Sequence, residues 1–465
     1  NQVTIEGSTA LAFSENVTAV LEARGWQVLS VADGEDLDAI EAALRAAQAD
    51  ETRPSLIRVR TIIGHGSPGA GTSEVHGTPL GLAGRAATRQ KLGWPDVDFH
   101  VPPSVRDYCA QAGQRGAANM AAWQQAVAAL GTDAQGFLAR LAGTLPAGWD
   151  SGLRSLALPA KPLATRAASG LAINALAPHL PALVGGSADL APSNNTHMKG
   201  VDAARNLHFG VREHAMGALL NGLALHGGFR PFGGTFLVFS DYMRGAMRLS
   251  AMMGVPVVYV LTHDSLAVGE DGPTHQPVEH VLGLRSLPGM TVLRPADAVE
   301  TLAAWQVALE RARPTCLILS RQNLPPLPGS SAAGVARGGY VLAEADNAAP
   351  QLLLIATGSE VTLALQAKTQ LEAAGVATRV VSLPSWELFA AQPVEYRESV
   401  LPAAVTARVS LEAGSTLGWE RWVGAGGVAL GVNEFGASGP GDQILEDRGI
   451  TAAALVAAGK SLLGG

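Results

Sequence analysis

The sequence predicts an α/β protein built from three consecutive α/β domains with mainly parallel sheets. Segments typical of strands and helices alternate along the chain, and several of the strands are nearly continuous apolar runs, as parallel strands covered on both faces require. The length of 465 residues fits about three domains of roughly 150 residues each. With 47 % hydrophobic residues each domain can bury a core, which excludes a disordered or fibrous protein.

Charge and cysteine content narrow the possible functions. The 33 basic and 40 acidic residues leave a formal net charge of −7 without a basic run, so a nucleic-acid partner is not expected. The two cysteines, Cys109 and Cys316, lie far apart in sequence and predict a reducing cytoplasm rather than a disulfide framework. The sequence has no apolar run of the ~18 residues that a membrane span needs, so no membrane partner is expected.

The first domain, predicted over residues 1–100, follows a strand–helix–strand–loop pattern. Residues 25–31 predict a strand, the helical spacing of apolar residues in 37–47 predicts a helix, and residues 55–63 predict a second strand. A glycine-rich loop, 64–71, follows. This is the βαβ pattern of a parallel sheet. We expect the domain to be incomplete at its front, because so small a parallel sheet is unlikely to be stable alone.

The rest of the chain divides into a connecting arm and two further α/β domains. Residues 101–160 contain a proline pair and helical segments rich in Gln and Ala, which predict a linker arm. The second domain is predicted over 161–325 and the third over 326–465, with a proline-rich boundary between them. The strands predicted in these two domains are residues 182–185, 255–261, 291–293, 315–319, 351–356 and 378–383.

The richest candidate site is the loop 262–277, which follows the strand that ends at Leu261. Ligands of open α/β sheets bind beyond the carboxyl ends of the strands, where this loop lies. It carries imidazoles at His263 and His275 and an aspartate at Asp271, groups that transfer protons near neutral pH and hold hydroxyls. The alternative is a solvated loop whose acids cap the following helix, but the position beyond a buried strand favours a binding site.

Four residues near predicted loops are candidate phosphate ligands. Ser187 follows a strand in a Gly-Gly-Ser turn whose glycines would allow a ligand to approach the backbone, although such turns are common. Arg166 and Arg321 could each grip a phosphate through a bidentate fork, although isolated arginines seldom have so specific a role. His76 lies just beyond the glycine-rich loop and is either a phosphate contact or a core histidine. The sequence contains no Walker loop, no Rossmann fingerprint and no Cys/His spacing typical of zinc.

Two further features suit a flat, nitrogen-containing ring. Glu213 opens a largely apolar helix, where a carboxylate must be paired, protonated or bound to a ligand nitrogen; a salt bridge to Arg212 is the alternative. Phe236, Phe239 and Tyr242 recur every three residues, so on a helix they would share a face and could stack on a heteroaromatic ring or pack in the core.

Together these segments resemble those of transketolases. The most specific part is the Gly-Glu-Asp-Gly-Pro-Thr-His-Gln-Pro core of the loop 262–277. The other matching segments, in chain order, are residues 60–67, 75–77, 185–194, 210–214 and 319–324. The resemblance implies a thiamine-diphosphate-binding fold with diphosphate, pyrimidine and C-terminal domains in the three predicted places. It also implies a homodimer, with active sites at the subunit interface, that moves a two-carbon ketol unit between sugar phosphates.

The resemblance implies thiamine diphosphate and a divalent cation, Mg²⁺ or Ca²⁺, as cofactors. Glu213 would bond the pyrimidine N1′ and promote the imino tautomer, and Phe239 would stack on the pyrimidine. His275, His76 and His263 would act with Glu213 in catalysis. The implied cofactor-binding residues are Glu213, Phe239, Phe236, Tyr242, Asp189, His76, Ile5 and Ile63. The implied substrate-binding residues are His76, Arg166, Ser187, His263, Asp271, His275 and Arg321.

The start of the sequence departs from the family pattern. In the family a Gly-Asp-Gly segment supplies an aspartate to the metal and a later Asn completes the site; the resemblance places Asn1 at that Asn, with the Val3 carbonyl as a further ligand. A hard cation without the aspartate is short of oxygen ligands. The chain as given is therefore expected to bind Mg²⁺–thiamine diphosphate poorly and to turn over slowly or not at all. Because the cut falls inside a sheet, truncation, proteolysis or disorder of a preceding segment is expected rather than a natural start.

Three alternatives remain open on sequence grounds. Dihydroxyacetone synthase shares nearly all of these motifs. Deoxyxylulose-phosphate synthase shares the domain order, but residues 262–265, Thr-His-Asp-Ser, and the Gly-Glu-Asp-Gly form favour transketolase. A transketolase-derived module that dimerises or binds a partner without chemistry is the alternative from a different class, and the retained substrate residues argue against it.

Overall fold

The computed structural model describes residues 1–131, 133–346 and 348–464, which form two compact units, residues 1–125 and 126–465. The elements that begin in the first unit are β1 Val3–Thr4, β2 Gly7–Ser8, α1 Val17–Ala23, β3 Gln27–Val31, α2 Leu37–Ala49, β4 Ser55–Val59, α3 Gly81–Lys91 and α4 Pro103–Ala129. β3 and β4 pair in parallel and α2 packs on both, which confirms the predicted strand–helix–strand order. β4 ends at Val59 rather than at residue 63.

The first unit has little interior. Each of its sheets has two strands. Among its described hydrophobic residues only Val31 is buried. Apolar side chains elsewhere in the unit are half-buried or exposed, as for Leu44 in α2 and Ile62 after β4. A two-stranded sheet covers one layer of side chains incompletely, so most of this unit's apolar surface faces outward.

The second unit holds the larger sheets. Its elements are α5 Asp133–Leu141, α6 Ser151–Ser155, α7 Thr165–Leu176, β5 Leu183–Ser187, α8 Ala191–Asn194, β6 Asn206–His208, α9 Glu213–His226, β7 Arg230–Phe236, α10 Ser240–Met253, β8 Val258–Thr262, α11 His280–Arg285, β9 Thr291–Leu293, α12 Ala298–Arg311, β10 Thr315–Leu319, α13 Ala332–Ala336, β11 Tyr340–Ala343, β12 Leu352–Ala356, α14 Glu360–Ala373, β13 Thr378–Ser382, α15 Trp386–Ala390, α16 Val394–Val400, β14 Arg408–Leu411, α17 Glu420–Val423, β15 Val428–Leu430, α18 Gly441–Asp447 and α19 Ala452–Leu462.

The first sheet of this unit is six-stranded and parallel, in the order β6-β5-β7-β8-β10-β9. Alternate residues of β8 belong to different cores: Val258 and Val260 to one cluster, Tyr259 and Leu261 to another. Side chains alternate across a strand, so the sheet is covered on both faces, as its continuous apolar strands predict. The helices α7 and α12 contact each other, and α9 packs on α10.

The second sheet has five strands in the order β11-β13-β12-β14-β15, with β11 antiparallel and the others parallel. The mainly parallel α/β prediction for these domains is therefore confirmed. None of the helices in the described residues is both long and apolar enough to cross a membrane. Cys109 is exposed and Cys316 buried, and both are free thiols.

Candidate active site

The carboxyl ends of neighbouring strands bring the candidate residues of the second unit together. β7 lies between β5 and β8, with Gly234 opposite Ser187 and Phe236 opposite Thr262. On the far side of β8, Leu319 at the end of β10 pairs with Thr262. Loops that leave these strands therefore begin side by side at one edge of the sheet, which is where open α/β sheets bind ligands.

Aromatic and imidazole rings cluster at this edge. The ring centroids of Phe236 and His263 are 3.7 Å apart, and those of Phe236 and Phe239 are 5.7 Å apart with the planes inclined by 12°. Phe239 is 5.4 Å from the ring of His275 and 6.0 Å from that of Tyr242. Tyr242 is 69 % exposed, so the cluster opens to solvent at one end and presents ring faces to a ligand.

The prediction that these aromatic residues share one face of a helix was wrong. Phe236, Phe239 and Tyr242 do not share the face of one helix: Phe236 ends β7, Phe239 lies in the 3₁₀ turn Leu237–Phe239, and Tyr242 lies in the first turn of α10. The tight 3₁₀ turn brings residues three apart close together, so the rings meet although the backbone changes from strand to helix.

His263 is held in an uncommon conformation. It is buried, and its φ of 63° is in the left-handed region, which side chains other than glycine seldom adopt. Its Nδ1 lies 2.8 Å from the Thr262 hydroxyl, which accepts a hydrogen bond from the Asn194 amide at 2.6 Å. Neighbouring structure therefore fixes the imidazole, as is common where backbone strain serves a site.

The electrostatic environment keeps this imidazole neutral. Burial lowers the pKa of His263 to about 3, and the positive charges of Arg166 and Arg321 act in the same direction. Nε2 lies 3.5 Å from Nη1 of Arg166, so in the tautomer protonated at Nδ1 it faces that guanidinium as an acceptor. A neutral imidazole next to two cations suits hydrogen bonding to the oxygens of an anionic substrate.

Ser187 does not occupy the position of a phosphate ligand. Its buried hydroxyl donates to Asn194 Oδ1 at 3.1 Å and lies 2.6 Å from the Thr196 hydroxyl. The preceding glycines do not admit a ligand either: a Cβ on Gly186 would lie 1.9 Å from the Leu207 carbonyl oxygen of β6. The sequence interpretation of this turn is corrected: its small residues let strands approach, and Ser187 positions the amide that supports His263.

Arg166 lies at the same edge of the sheet as His263. It is half-buried in the first turn of α7, and Nη1 donates to the Ser193 carbonyl at 2.8 Å. Burial and the nearby charge of Arg321 lower its pKa, which shows that the two arginines lie near each other. Arg321 is exposed, two residues after the end of β10. Two neighbouring cations suit an anionic ligand. The Ser193 carbonyl, which sequence reasoning did not single out, holds one of them.

Glu213 starts α9 as a half-buried side chain. The alternative of a salt bridge to Arg212 is not observed; that guanidinium donates to the Phe209 carbonyl at 3.2 Å, and within the described residues no Lys or Arg nitrogen lies within 4.0 Å of the Glu213 carboxylate. The next residue, His214, lies 3.4 Å from where a Cβ would stand on Gly245 of α10. The first turn of α9 therefore packs against α10, and the Glu213 carboxylate, without a cationic partner among the described residues, is available to a ligand nitrogen.

Most of the remaining predicted site residues are exposed. Asp189 follows β5 with a φ of 60°, and Asp271 ends the 3₁₀ segment Leu266–Asp271 within the loop 262–277. The predicted residues of the first unit are Asn1, Val3, Ile5, Ile63 and His76. Asn1 is exposed and its Oδ1 accepts a hydrogen bond from the Val3 amide at 3.0 Å. Ile5 and His76 are exposed, and Ile63 is half-buried.

A buried ion network lies directly behind the site. Asp264, next to His263, accepts from Nε of Arg294 at 3.0 Å, and that fully buried arginine also pairs with Glu360 and donates to Thr357. A second arginine, Arg285, binds Glu412 in a bidentate pair, and the Thr357 hydroxyl donates to Glu412 at 2.6 Å. Although burial alone would raise it, Arg285 and Arg294 hold the pKa of Glu412 at about 2. The network joins the loop to the five-stranded sheet.

These features fit thiamine diphosphate. The half-buried ring of Phe239, with the buried ring of Phe236 beside it, can stack on a flat pyrimidine. Glu213 has no cationic partner among the described residues and is suited to hold a ring nitrogen. Together with the sheet edge they define a cofactor-dependent α/β enzyme site.

Comparison with known proteins agrees with this class. Residues 1–146 match the model of the transketolase thiamine diphosphate binding domain, 161–326 the transketolase pyrimidine binding domain, and 338–451 the transketolase-like C-terminal domain. The transketolase of Geobacillus stearothermophilus is 49 % identical over 482 residues, which cover 100 % of this chain and 72 % of that protein. The chloroplastic transketolase of Zea mays is 48 % identical, covering 99 % and 71 % of the two chains.

Solved structures give the same result. Transketolase from Leishmania mexicana superimposes with a TM-score of 0.94 at 42 % identity, covering 99 % of this chain and 70 % of that one. A Pichia stipitis transketolase in complex with sedoheptulose 7-phosphate gives 0.93 at 38 % identity, covering 100 % and 71 %. The chain belongs to the transketolase family, which confirms the resemblance seen in its sequence.

Proposed function

We propose that this chain catalyses the transketolase reaction, the reversible transfer of a two-carbon ketol unit from a ketose phosphate to an aldose phosphate. The observation that carries the proposal is the convergence of an aromatic ring stack, the imidazoles of His263 and His275, and the Arg166 guanidinium at one sheet edge. A ring-binding surface thus adjoins an anion site, as a reaction that joins a heteroaromatic cofactor to a phosphorylated sugar requires.

The residues proposed to hold the cofactor are those that the family resemblance implies. When bound, thiamine diphosphate supplies the carbon nucleophile that carries the two-carbon unit. Glu213 would hold a proton at the pyrimidine N1′, with Phe239 against the ring. Asp189, His76, Ile5 and Ile63 complete the proposed set. Mg²⁺ or Ca²⁺ is the proposed cation, and the Asn1 side chain and the Val3 carbonyl are oxygen donors of the kind such ions prefer.

The substrate would be bound by the neutral imidazole and the arginine pair. His263 would hold a sugar oxygen and His275, 5.4 Å from Phe239, would bond a hydroxyl and move its proton. The phosphate would lie at Arg166 and Arg321, with the Ser193 hydroxyl in place of the predicted Ser187. Asp271 is proposed as a further contact to substrate oxygens.

A homodimer is proposed as the working state. Leu219 and Leu223 of α9, with Phe229 just after the helix, line an open apolar surface. Leu225 of α9 and Met252 of α10 are each at least 60 % exposed. Contiguous exposed apolar surface next to a site marks a subunit interface. The two free thiols fit a reducing cytoplasm, where the pentose phosphate pathway would use this reaction.

The proposal is tested by a ketol-transfer assay with thiamine diphosphate, Mg²⁺, a five-carbon ketose phosphate and a five-carbon aldose phosphate. Glu213→Gln keeps the shape but cannot take up the proton, so we expect the rate to fall at least about 100-fold. Glu270→Gln, an exposed carboxylate of the loop, is the matched control and should leave the rate within about twofold of wild type. No transfer by the wild-type chain, or equal rates in both variants, would contradict the proposal.

The phosphate site has its own test. Arg166→Met retains the aliphatic stem but removes the charge, so we expect KM for the phosphorylated acceptor to rise at least about tenfold, while KM for an unphosphorylated aldose changes little. An equal rise for both acceptors would mean that Arg166 maintains the fold of the site rather than binding phosphate.

A further inference from the structure

Three ligand-type side chains meet beside the active-site segments. Asp241 lies in the first turn of α10, His280 is the first residue of α11, and Glu279 precedes it. One ligand atom from each residue can be chosen so that all three lie within 4.8 Å of one another. Neither carboxylate belongs to the site proposed for the cofactor or the substrate.

The imidazole of His280 is buried without a hydrogen-bond partner. Its side chain is only 5 % exposed, yet neither Nδ1 nor Nε2 makes a hydrogen bond in the part of the chain that the structure describes. Nε2 lies 3.1 Å from Asp241 Oδ2, but not in the direction of a ring N–H bond. Burying a polar group without a hydrogen-bond partner costs free energy. A ligand that binds this imidazole would remove that cost.

The geometry suits a metal ion better than an ion pair. Two ligands of one tetrahedral or octahedral ion are roughly 3.0–3.4 Å apart when the bonds are about 2.1 Å long. The 3.1 Å separation between Nε2 and the Asp241 oxygen falls in this range. Glu279 Oε2 is 3.8 Å from the other ring nitrogen and must turn about its own flexible side chain to bind the same ion.

The charges around the cluster also favour a cation. Asp241 and Glu279 are each 61 % exposed at the side chain, which leaves an open side for water ligands. Arg244, one turn further along α10, is directed away: it donates to the Gly283 carbonyl at 2.8 Å and to the Ser286 hydroxyl at 3.3 Å. Among the described residues no Lys or Arg nitrogen lies within 4.0 Å of Asp241 or Glu279.

We propose that Asp241, Glu279 and His280 form a binding site for a divalent first-row transition ion. One imidazole and two carboxylates are the ligand types that Zn²⁺ and Mn²⁺ accept, and solvent would fill the remaining positions. The ligands come from positions about forty residues apart, which explains why no spacing in the sequence revealed them. The site is separate from the cation proposed to bind with thiamine diphosphate.

An ion here would have a structural effect on the active site. Asp241 lies between Phe239 and Tyr242 in sequence, and His280 follows the loop that carries His275. Coordination would therefore tie the first turn of α10 to the first turn of α11, and so hold the segment with the aromatic stack against the segment with the proton-transfer histidine.

The test is calorimetric titration of the whole chain with Zn²⁺ in the absence of thiamine diphosphate. About 5 mM Mg²⁺ is present so that sites built from oxygen ligands are already occupied. We expect one Zn²⁺ per chain, and an affinity at least about tenfold weaker in each of Asp241→Asn, Glu279→Gln and His280→Gln, because each removes a ligand. His197→Gln, an exposed histidine elsewhere in the unit, is the control and should bind as the wild type does. Zinc X-ray absorption should show one nitrogen and two carboxylate ligands.

The outcomes separate this proposal from a plain ion pair. If wild type and all three variants take up Zn²⁺ equally, or if the wild type takes up none, the metal site is wrong. If His280→Gln does not fold, Asp241→Asn and Glu279→Gln decide, since both side chains are mostly exposed and tolerate the change. Zn²⁺ should also raise the unfolding temperature of the wild type and not that of Asp241→Asn.

Discussion

The two units hold their predicted site residues in different ways. In residues 126–465 the central candidates are fixed by contacts: His263 by Thr262 and its neighbouring rings, Arg166 by a carbonyl. In residues 1–125 the candidates are exposed or half-buried, and Asn1 and Ile5 make few contacts that would hold a ligand geometry. Geometry therefore supports the roles in the second unit, whereas the roles in the first rest on family resemblance.

The difference follows from how much each sheet buries. A six-stranded sheet with helices on both faces surrounds its strands with side chains, so a loop that leaves it starts from a rigid base. In the first unit β3 and β4 form one short strand pair, and the side chains of these strands are partly exposed. Substitutions of buried residues should therefore destabilise the second unit more than the first.

The largest effect is expected from Arg294→Met. The arginine is fully buried and its loss leaves Asp264 and Glu360 as buried carboxylates without their partner. Breaking a buried pair on one side costs about 3–5 kcal/mol. Urea unfolding should show that decrease in the free energy of unfolding.

The control for this change is Arg311→Met, at an exposed helix end, which should stay within about 0.5 kcal/mol of wild type. If both variants unfold at the same urea concentration, the network does not stabilise the second unit. Its buried ion pairs would then not be what makes the second unit more rigid than the first.

The sequence predicted the strands and the edge at which the site lies, but not the contacts behind it. The apolar runs at 291–293 and 315–319 match β9 and β10, because a continuous buried strand leaves a pattern in sequence. The pair of Arg294 and Asp264 left no pattern in the sequence, since their contact depends on packing between residues far apart in the chain. Ser187 was misassigned for the same reason: its partners, Asn194 and Thr196, are set by the fold.

A matched pair of leucines compares the two units directly. Leu317 of β10 is fully buried, whereas Leu56 of β4 is half-buried. We expect Leu317→Ala to lower the free energy of unfolding by about 3 kcal/mol and Leu56→Ala by about 1 kcal/mol, because less apolar surface and packing are lost. Equal losses, measured by urea unfolding at one protein concentration, would show that the first unit buries β4 as completely as the second buries β10.

The smallest effect is expected from pH, and it tests whether the second unit really holds His263 neutral. Its pKa in the folded chain is about 3, against about 6.5 when unfolded. A histidine with a lowered folded pKa contributes stability that is fully present above pH ~6.5 and is lost as pH falls toward the folded pKa. Between pH 7.5 and 5.0 we expect His263 to account for about 1–2 kcal/mol of lost stability.

His263→Gln should remove that part of the pH dependence and His197→Gln should not. If the free energy of unfolding of His263→Gln changes with pH as steeply as that of the wild type, His263 has the same pKa in the folded and the unfolded chain. The buried edge of the second unit would then fix the position of His263 without controlling its charge.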